Sequence, residues 1–287
     1  MTAVLHTKYD LDQWLQQHNG TRAVVLTMGA LHAGHASLMR AARTAAGANG
    51  TVMVTIFVNP TQFAPHEDFE KYPRTLESDV ALCAAEGVDA VFAPTVDVVY
   101  PPDDHIATYE PGPLESELEG AVRPGHFAGV LQVVSRLLQL TQADITCFGE
   151  KDYQQFALVR RLASLEPALA HCRFLGVPTV RDADGLALSS RNRYLTPEER
   201  AAALAIPACL ELMQSMAAAG ATADHIAASG EEFLRLAPGV EADYVVIRDL
   251  DLGPAPSVGE GRALIAARVG STRLLDNGPV SLKDVTA

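Results

Sequence analysis

The sequence predicts an open α/β fold with a parallel sheet in its first two-thirds and a smaller α+β unit in its last third. The first observation is a series of short apolar runs, rich in β-branched residues, that alternate with helix-like segments. Continuous apolar strands between helices are typical of a parallel sheet that helices cover on both faces. The second observation is a change of pattern after Val180, where an Ala-rich helix introduces a different arrangement.

The elements of the first part follow one another regularly. Apolar runs at 22–27, 51–59, 89–94 and 144–149 predict buried strands. Apolar residues at helical spacing predict helices at 34–46, 76–87 and 127–142. Ligands of such sheets bind beyond the carboxyl ends of the strands. We therefore expect four stretches to meet at one edge: 27–35, 59–63, 149–155 and the segment that follows 180.

The second part begins with a helix start signal. In LTPEER, Thr196 is the expected N-cap, Pro197 the first helical residue and Glu199 the third position after the cap. The helix runs to about residue 219, and a second one starts near 223. Strands are predicted at 242–250 and 261–270. With the boundary near 178–188, we predict a nucleotide- and substrate-binding domain at 1–180 and a smaller domain at 181–287.

Composition narrows the function classes. Of 287 residues, 48% are hydrophobic and 20% charged, as in ordinary globular proteins. The formal net charge of −13 argues against nucleic-acid binding, which needs a basic surface, but allows a local site for a small anion. The N-terminus does not resemble a signal peptide, and no apolar run predicts a membrane span, so a cytoplasmic protein is expected. Scattered cysteines predict reduced thiols: Cys83, Cys147, Cys172 and Cys209.

The stretch TMGALHAGH, residues 27–35, is the strongest candidate for a phosphate site. Gly29 and Gly34 have the spacing of a P-loop, but His35 and Ala36 replace the Lys and Ser/Thr that a P-loop requires. Glycines still allow a close approach of the backbone, and a helix N-terminus favours an anion. His32 and His35 are three residues apart and therefore project to the same side. A capping or core histidine, and a zinc ligand, are the alternatives.

Other polar residues follow the predicted strands. Lys151 can reach a phosphate as a point charge, and Asp152 can accept a ribose hydroxyl or cap a helix. Gln155 is expected at the same edge one turn later. The hydroxyl and guanidinium groups of 189–191 suit phosphate oxygens.

Amides and one acid complete the candidates. Asn59 and Gln62 suit a substrate hydroxyl, although Asn59 before Pro60 can also cap a turn. Asp79 is either a magnesium contact or a solvated helical acid. In RPGHF, the residues at 123 and 126 are expected to support anion binding at most.

Seven motifs occur in order between residues 27 and 277: TMGALHAGH, IFVNPTQF, YPRT, RPGHFAGV, FGEKDYQQ, DGLALSSRNRYL and TRLLDN. Together they resemble the pantoate–β-alanine ligase family, also called pantothenate synthetases. The resemblance implies a Rossmann-like domain of the HxGH nucleotidylyltransferase type, a smaller C-terminal lid domain and a homodimer. It also implies ATP and Mg²⁺, with pantoate forming a pantoyl adenylate and pyrophosphate. β-Alanine then displaces AMP to give pantothenate, a precursor of coenzyme A.

The resemblance assigns roles residue by residue. It implies catalytic roles for His35, His32 and Lys151, pantoate or β-alanine contacts at Gln62, Gln155 and Asn59, and a metal contact at Asp79. The implied ATP-binding residues are Met28, Gly29, Ala30, Leu31, His32, Ala33, Gly34, His35, Gly149, Glu150, Lys151, Asp152, Val180, Leu188, Ser189, Ser190 and Arg191.

Three rival functions remain at this stage. Another HxGH nucleotidylyltransferase would form a dinucleotide-like product instead of an amide. A relative of aminoacyl-tRNA synthetases disagrees with the net charge of −13 and with the lack of a tRNA-binding region. A non-catalytic adenine-nucleotide sensor would bind ATP without releasing pyrophosphate.

Overall fold

The computed structural model describes residues 2–63, 69–70 and 72–283. The chain divides into two compact units. The first comprises the chain up to Gly149 together with Gln154–Val177, and the second comprises Glu150–Tyr153 together with the chain from Pro178. The short excursion at 150–153 is not part of the predicted division into 1–180 and 181–287. That division into functional domains, and the lid role of the second, stay predictions.

The described part of the first unit contains a six-stranded parallel sheet, and this confirms the predicted α/β class. In sheet order the strands run β1-β4-β3-β2-β5-β6. Their bounds are β1 Ala3–Leu5, β2 Arg22–Thr27, β3 Thr51–Ile56, β4 Ala90–Phe92, β5 Ile145–Gly149 and β6 Arg173–Val177.

Helices connect these strands and cover both faces of the sheet. The α-helices are α1 Lys8–Gln17, α2 Ala33–Ala46, α3 Leu76–Ala85, α4 Val96–Val99, α5 Glu119–Val122, α6 His126–Thr141, α7 Tyr153–Val159 and α8 Leu162–Leu165. Short 3₁₀ helices lie at Pro60–Gln62, Gly112–Ser116, Glu150–Asp152, Pro167–Leu169 and Ser190–Tyr194. On one face, Met39 and Ala42 of α2 are fully buried in a cluster with Val25 and Val54 of the sheet. Burial of this apolar surface is the main term that holds the layers together.

The order of the strands reverses between β2 and β5. From β2 the chain moves outward through β3 and β4, whereas from β5 it moves the other way to β6. Over the described residues, only Ala23–Ile145 and Val24–Thr146 pair across this junction, near the amino ends of the two strands. A ligand crevice is expected beyond the carboxyl ends at such a reversal, where the segment 28–35 follows β2.

The second unit is an α+β unit, as predicted. Its antiparallel sheet has the order β7-β8-β9. The elements are α9 Pro197–Ala203, α10 Ala205–Ala218, α11 Ala223–Arg235, β7 Val240–Arg248, β8 Gly259–Val269 and β9 Thr272–Leu282. The predicted capping box is confirmed, because Thr196 Oγ1 accepts from the Glu199 N–H at 3.2 Å and the Glu199 carboxylate accepts from the Thr196 N–H at 2.9 Å.

The Ala-rich helix is divided, which the sequence pattern does not predict. α9 ends before Leu204, and Pro207 follows in the first turn of α10. Proline lacks the N–H that would bond to the carbonyl of residue 203, so one helical hydrogen bond is missing at this point.

The stretch Pro197–Ala218 has the length and composition of a membrane-spanning helix, and 39% of its most apolar 18-residue segment is buried. Ile206 and Met213 on its inner face lie in the core of the second unit, and this packing explains the apolar composition.

All four cysteines are buried thiols, in agreement with the prediction of reduced thiols. Burial raises the pKa of Cys83, Cys172 and Cys209 to about 12 and that of Cys147 to about 11. Because the thiolate is the reactive form, we expect iodoacetamide at pH 8 to leave the native protein unmodified. Intact-mass spectrometry checks this, with four alkylated thiols after denaturation as the control. Rapid alkylation of the native protein would contradict the described burial.

Candidate functional site

The segment between β2 and α2 makes a sharp turn. Gly29 has φ +85° and Ala30 has φ +51°, in the left-handed region that residues with a side chain rarely adopt. Asp79 on α3 accepts hydrogen bonds from the N–H groups of Ala30 at 3.0 Å and Leu31 at 2.8 Å. These N–H groups therefore have protein acceptors, unlike those of a loop that cradles phosphates through its backbone. The predicted ATP-binding roles of these loop residues stay predictions.

Two histidines cap the first turn of α2 reciprocally. The Nδ1 atom of His32, the N-cap residue, accepts from the Gly34 N–H at 3.1 Å, and the Nδ1 atom of His35 accepts from the His32 N–H at 3.2 Å. A nitrogen that accepts carries no proton, so each neutral ring has its proton on Nε2. The ring centroids lie 4.2 Å apart. The alternative of a capping histidine is therefore realised, and in the neutral rings it puts the proton on Nε2.

This arrangement suits an anion. α2 has 14 residues and no acidic residue of its own in its first turn, so the helix itself adds no negative charge at the positive end of its dipole. The two Nε2–H groups and the helix N-terminus belong to the same turn. The turn can therefore donate hydrogen bonds to a phosphate and stabilise negative charge that develops on it.

Asn59 and Gln62 form a buried amide pair next to this turn. They are 1% and 9% exposed. Asn59 Nδ2 donates to Gln62 Oε1 at 3.2 Å, and Gln62 Nε2 donates to Met28 Sδ at 3.0 Å. Asn59 Oδ1 accepts from the Tyr100 hydroxyl at 2.9 Å and from the Thr61 N–H at 3.3 Å. Asn59 thus caps the 3₁₀ helix and orients Gln62. The strand predicted over 51–59 ends at residue 56, opposite Thr27, the last residue of its partner strand β2. The substrate contacts predicted for both residues stay predictions.

His126 supports Gln62, a role that the sequence does not reveal. Its Nδ1 lies 2.9 Å from the backbone carbonyl oxygen of Gln62, and its Nε2 lies 2.9 Å from Arg123 Nη1. Since a guanidinium only donates, Nε2 accepts and Nδ1–H donates to the carbonyl. On the same helix, a Cβ at Gly129 would lie 2.3 Å from the Thr61 carbonyl oxygen, so only glycine permits this approach. The expected role of RPGHF in anion binding gives no hint of this contact.

Two further predicted residues of the first unit, Gly149 and Gln155, lie on different elements. Gly149 ends β5, and Gln155 lies half-buried on α7. The structure brings Met28 and Gln62 into contact. The predicted pantoate contact of Gln155 and the ATP contact of Gly149 stay predictions.

In the second unit, Lys151, Ser189 and Arg191 line one cavity together with Arg273 and Asp276. The Arg181 guanidinium holds both oxygens of Asp276, at 2.6 and 2.9 Å, so the acid in this cavity is already paired. The basic residues of the cavity are paired as well, Lys151 with Asp152 at 3.3 Å and Arg273 with Asp243, while Arg191 is exposed. Residues predicted from two separate motifs, FGEKDYQQ and DGLALSSRNRYL, are thus brought together around one cavity.

The other predicted residues of this unit flank the cavity. Val180 and Leu188 are paired across a short hairpin, with the Leu188 N–H donating to the Val180 carbonyl at 2.8 Å. Ser190 begins the 3₁₀ helix that carries Arg191. Asp152 is exposed, and its carboxylate lies 3.3 Å from the Lys151 ammonium. Their ATP contacts stay predictions.

Arg262 and Asn277 hold the segment Glu150–Asp152, and neither has a role predicted from the sequence. The Asn277 amide donates to the carbonyls of Glu150 at 3.0 Å and Lys151 at 2.8 Å. Arg262 donates to the Glu150 carboxylate at 2.9 Å and to Asn277 Oδ1 at 2.8 Å, and it stacks on Tyr153 at 4.1 Å. The sequence offered one signal for Arg262, a charged residue at the start of the apolar run GRALIAARVG. In the structure this arginine is buried.

The resemblance implies an ATP contact at Lys151, and on that basis we expect Asn277→Leu to weaken ATP binding by roughly 10-fold, because the backbone carbonyls of Glu150 and Lys151 lose their donor. The KM for ATP and isothermal titration with ATP check this. Gln214→Leu is the matched control, since the Gln214 amide donates to the Pro279 carbonyl of the same strand, at 3.0 Å, without touching Lys151. Equal effects of the two substitutions would mean that Asn277 has no specific role.

The predicted magnesium contact, Asp79, is buried and already accepts several hydrogen bonds. It is 2% exposed, and besides its two backbone donors it accepts from Thr75 Oγ1 at 3.0 Å. Among the described residues, no group of three or more His, Cys, Asp or Glu side chains is arranged to hold a metal. Three hydrogen bonds occupy most of the acceptor positions of this carboxylate, and the metal role stays a prediction.

The fold is that of an α/β protein in which a turn with two histidines follows β2, next to the reversal of the strand order. The family model of pantoate-beta-alanine ligase matches residues 3–279. A pantothenate synthetase of Salinispora arenicola is 50% identical over 284 residues, which is 98% of this chain and 99% of the relative.

Solved structures agree. The crystal structure of pantothenate synthetase from Thermus thermophilus has a TM-score of 0.86 and 42% identity, covering 96% of this chain and 98% of that one. A pantoate-beta-alanine ligase from Francisella tularensis, in complex with beta-gamma ATP and beta-alanine, has a TM-score of 0.75 and 31% identity, covering 97% of each chain. The chain belongs to the pantoate–β-alanine ligase family.

Proposed function

We propose that the chain joins pantoate to β-alanine at the expense of ATP. A pantoate carboxylate oxygen attacks the α-phosphorus of ATP, and the bond from this phosphorus to pyrophosphate breaks. The β-alanine amine then attacks the acyl carbon of pantoyl adenylate, loses its proton and expels AMP. The observation that carries this proposal is the pair of Nε2–H donors at the N-terminus of α2, within a chain of this ligase family.

The residue roles follow from charge development. In the first step, negative charge grows on the non-bridging oxygens of the α-phosphate, where preorganised donors are most effective. We assign His32 and His35 to these oxygens. Lys151, with Ser189 and Arg191 in the same cavity, is assigned to the phosphates of ATP. An ammonium is a strong but undirected partner for them.

The substrates need a different surface. Gln62, whose amide is fixed by Asn59 and Met28, is assigned to the pantoate hydroxyl groups. A buried amide with a fixed orientation discriminates well against analogues without a hydroxyl, because its second N–H or second lone pair then lacks a partner. Gln155 and Asn59 are assigned to the same substrate side, Asn59 chiefly through its orientation of Gln62.

ATP is used as its magnesium complex in this proposal, with the phosphates as the main ligands of the ion. Mg²⁺ with a nucleotide needs few protein ligands, because phosphates and water supply most of its coordination sphere. A homodimer, no nucleic-acid partner and a cytoplasmic location complete the proposal.

One assay tests the proposal against its rivals. Pyrophosphate release is measured from ATP and pantoate without β-alanine, followed by AMP and pantothenate after β-alanine is added. The proposed ligase releases pyrophosphate only with pantoate and forms the amide only with β-alanine. A nucleotide sensor would release no pyrophosphate, and another nucleotidylyltransferase would accumulate an adenylylated product that β-alanine does not consume.

A further inference from the structure

One buried acid near the histidine turn has no part in the reaction proposed above. Asp79 lies on α3, 48 residues after Leu31 in the chain, and is 2% exposed. Its two oxygens accept three hydrogen bonds, from the N–H groups of Ala30 and Leu31 and from the Thr75 hydroxyl. A buried carboxylate is tolerated when such donors replace water. Each of the two carboxylate oxygens thus accepts from one of the two consecutive N–H groups of the turn.

We propose that Asp79 is a positioning residue, which acts by fixing the turn that aims His32 and His35. Ala30 has φ +51°, which is unfavourable for a residue with a Cβ and persists only where surrounding contacts impose it. Asp79 accepts a hydrogen bond from the N–H of Ala30 itself and a second one from the N–H of the next residue, Leu31. His32 follows immediately as the N-cap of α2. The direction of both imidazoles therefore depends on this turn.

Gly29 fits the same interpretation. A Cβ at Gly29 would lie 3.0 Å from Asp79 Oδ2 and 3.2 Å from Ile56 Cγ2. Together with its φ of +85°, this contact makes glycine the residue that allows the carboxylate to approach the turn. The lack of space for a Cβ at Gly29 and the hydrogen bond at Ala30 thus both require this conformation of the turn.

A metal ligand and a positioning residue differ in what their loss does. Loss of a metal ligand raises the Mg²⁺ concentration needed for half-maximal rate, and excess Mg²⁺ restores activity. Loss of a positioning residue lowers the rate of adenylate formation at every Mg²⁺ concentration. It also loosens the turn, which is measurable without any reaction.

Asp79→Asn is the main variant, because it keeps the shape but turns an NH₂ group toward one backbone N–H. We expect kcat for pyrophosphate release to fall roughly 10-fold or more, with the Mg²⁺ half-saturation unchanged. Hydrogen exchange of the 28–35 segment should become faster. Asp144→Asn is the matched control, since Asp144 accepts from the Arg22 N–H at 2.7 Å at the other end of β2. It should leave kcat and this exchange unchanged.

The catalytic part of this inference rests on the proposed function, but the exchange measurement does not. If the wild-type protein releases no pyrophosphate, the proposed function fails while exchange still tests the turn. A folded Asp79→Asn variant with normal exchange and kcat, or one rescued by Mg²⁺, would overturn the inference. If Asp79→Asn does not fold, Asp79→Ser replaces the carboxylate with a single short hydroxyl, which cannot accept from both N–H groups. Unchanged exchange and kcat in that variant would then overturn the inference.

Discussion

Replacing His35 with alanine should lower the rate of pyrophosphate release by about 10²–10³-fold while the protein stays folded. This is the usual loss when one preorganised donor to a developing oxyanion is removed. Stopped-flow measurement of pyrophosphate release from ATP and pantoate checks the rate, and circular dichroism checks the fold. The KM for ATP should change much less than kcat, because the lost interaction strengthens mainly in the transition state.

Two further variants separate the roles of His35. Asparagine offers an oxygen near the position of Nδ1, so His35→Asn can retain the bond from the His32 N–H while it lacks Nε2–H. We expect it to be as slow as the alanine variant but more stable. His225 occupies the third position of α11, as His35 does in α2, so His225→Ala controls for loss of a histidine in a first turn. A folded His35→Asn variant with a near-normal rate would refute the donor role.

Replacing Lys151 with methionine should have the second large effect. Its side chain is only 17% exposed, and it shares a cavity with Ser189 and Arg191. Methionine preserves much of the apolar stem but removes the charge opposite the phosphates. We expect kcat/KM for ATP to fall by about 10²-fold or more, as for loss of one preorganised electrostatic contact to the reacting phosphates.

The controls for Lys151 address charge and surface effects. Lys151→Arg keeps a cation in a different shape and should recover only part of the rate, because a planar fork does not replace a point charge. Lys8→Met removes a lysine that pairs with Asp12 on the surface of α1, and it should be neutral. A Lys151→Met variant with normal kcat/KM for ATP would contradict the assignment.

The parallel strands were predictable from the sequence, because short apolar runs that alternate with helices are typical of strands buried on both faces. The prediction for 22–27 coincides with β2. β1 has only three residues and no periodicity to detect. β9 was missed because Asp276, Asn277, Gly278 and Pro279 are typical of turns, although Pro279 is tolerated on this edge strand.

The candidate site was predictable in its residue types but not in its internal contacts. The spacing of His32 and His35 indicated a common side, yet only the geometry shows that both Nδ1 atoms accept and so identifies Nε2 as the donor. Asp79 was visible as an acid, but its two partners in the turn lie 48 and 49 residues away. Asn277 likewise contacts carbonyls 126 and 127 residues distant. Such contacts depend on the tertiary fold, and local patterns do not encode them.

The most direct test follows the oxygen of the attacking carboxylate. Pantoate labelled with ¹⁸O in both carboxylate oxygens is converted with ATP and β-alanine, and the products are analysed by mass spectrometry. Attack at the α-phosphorus predicts one ¹⁸O in AMP, with the other kept in the amide carbonyl of pantothenate. Label in inorganic phosphate would indicate attack at the γ-phosphorus instead. Unlabelled AMP would contradict the proposed adenylate.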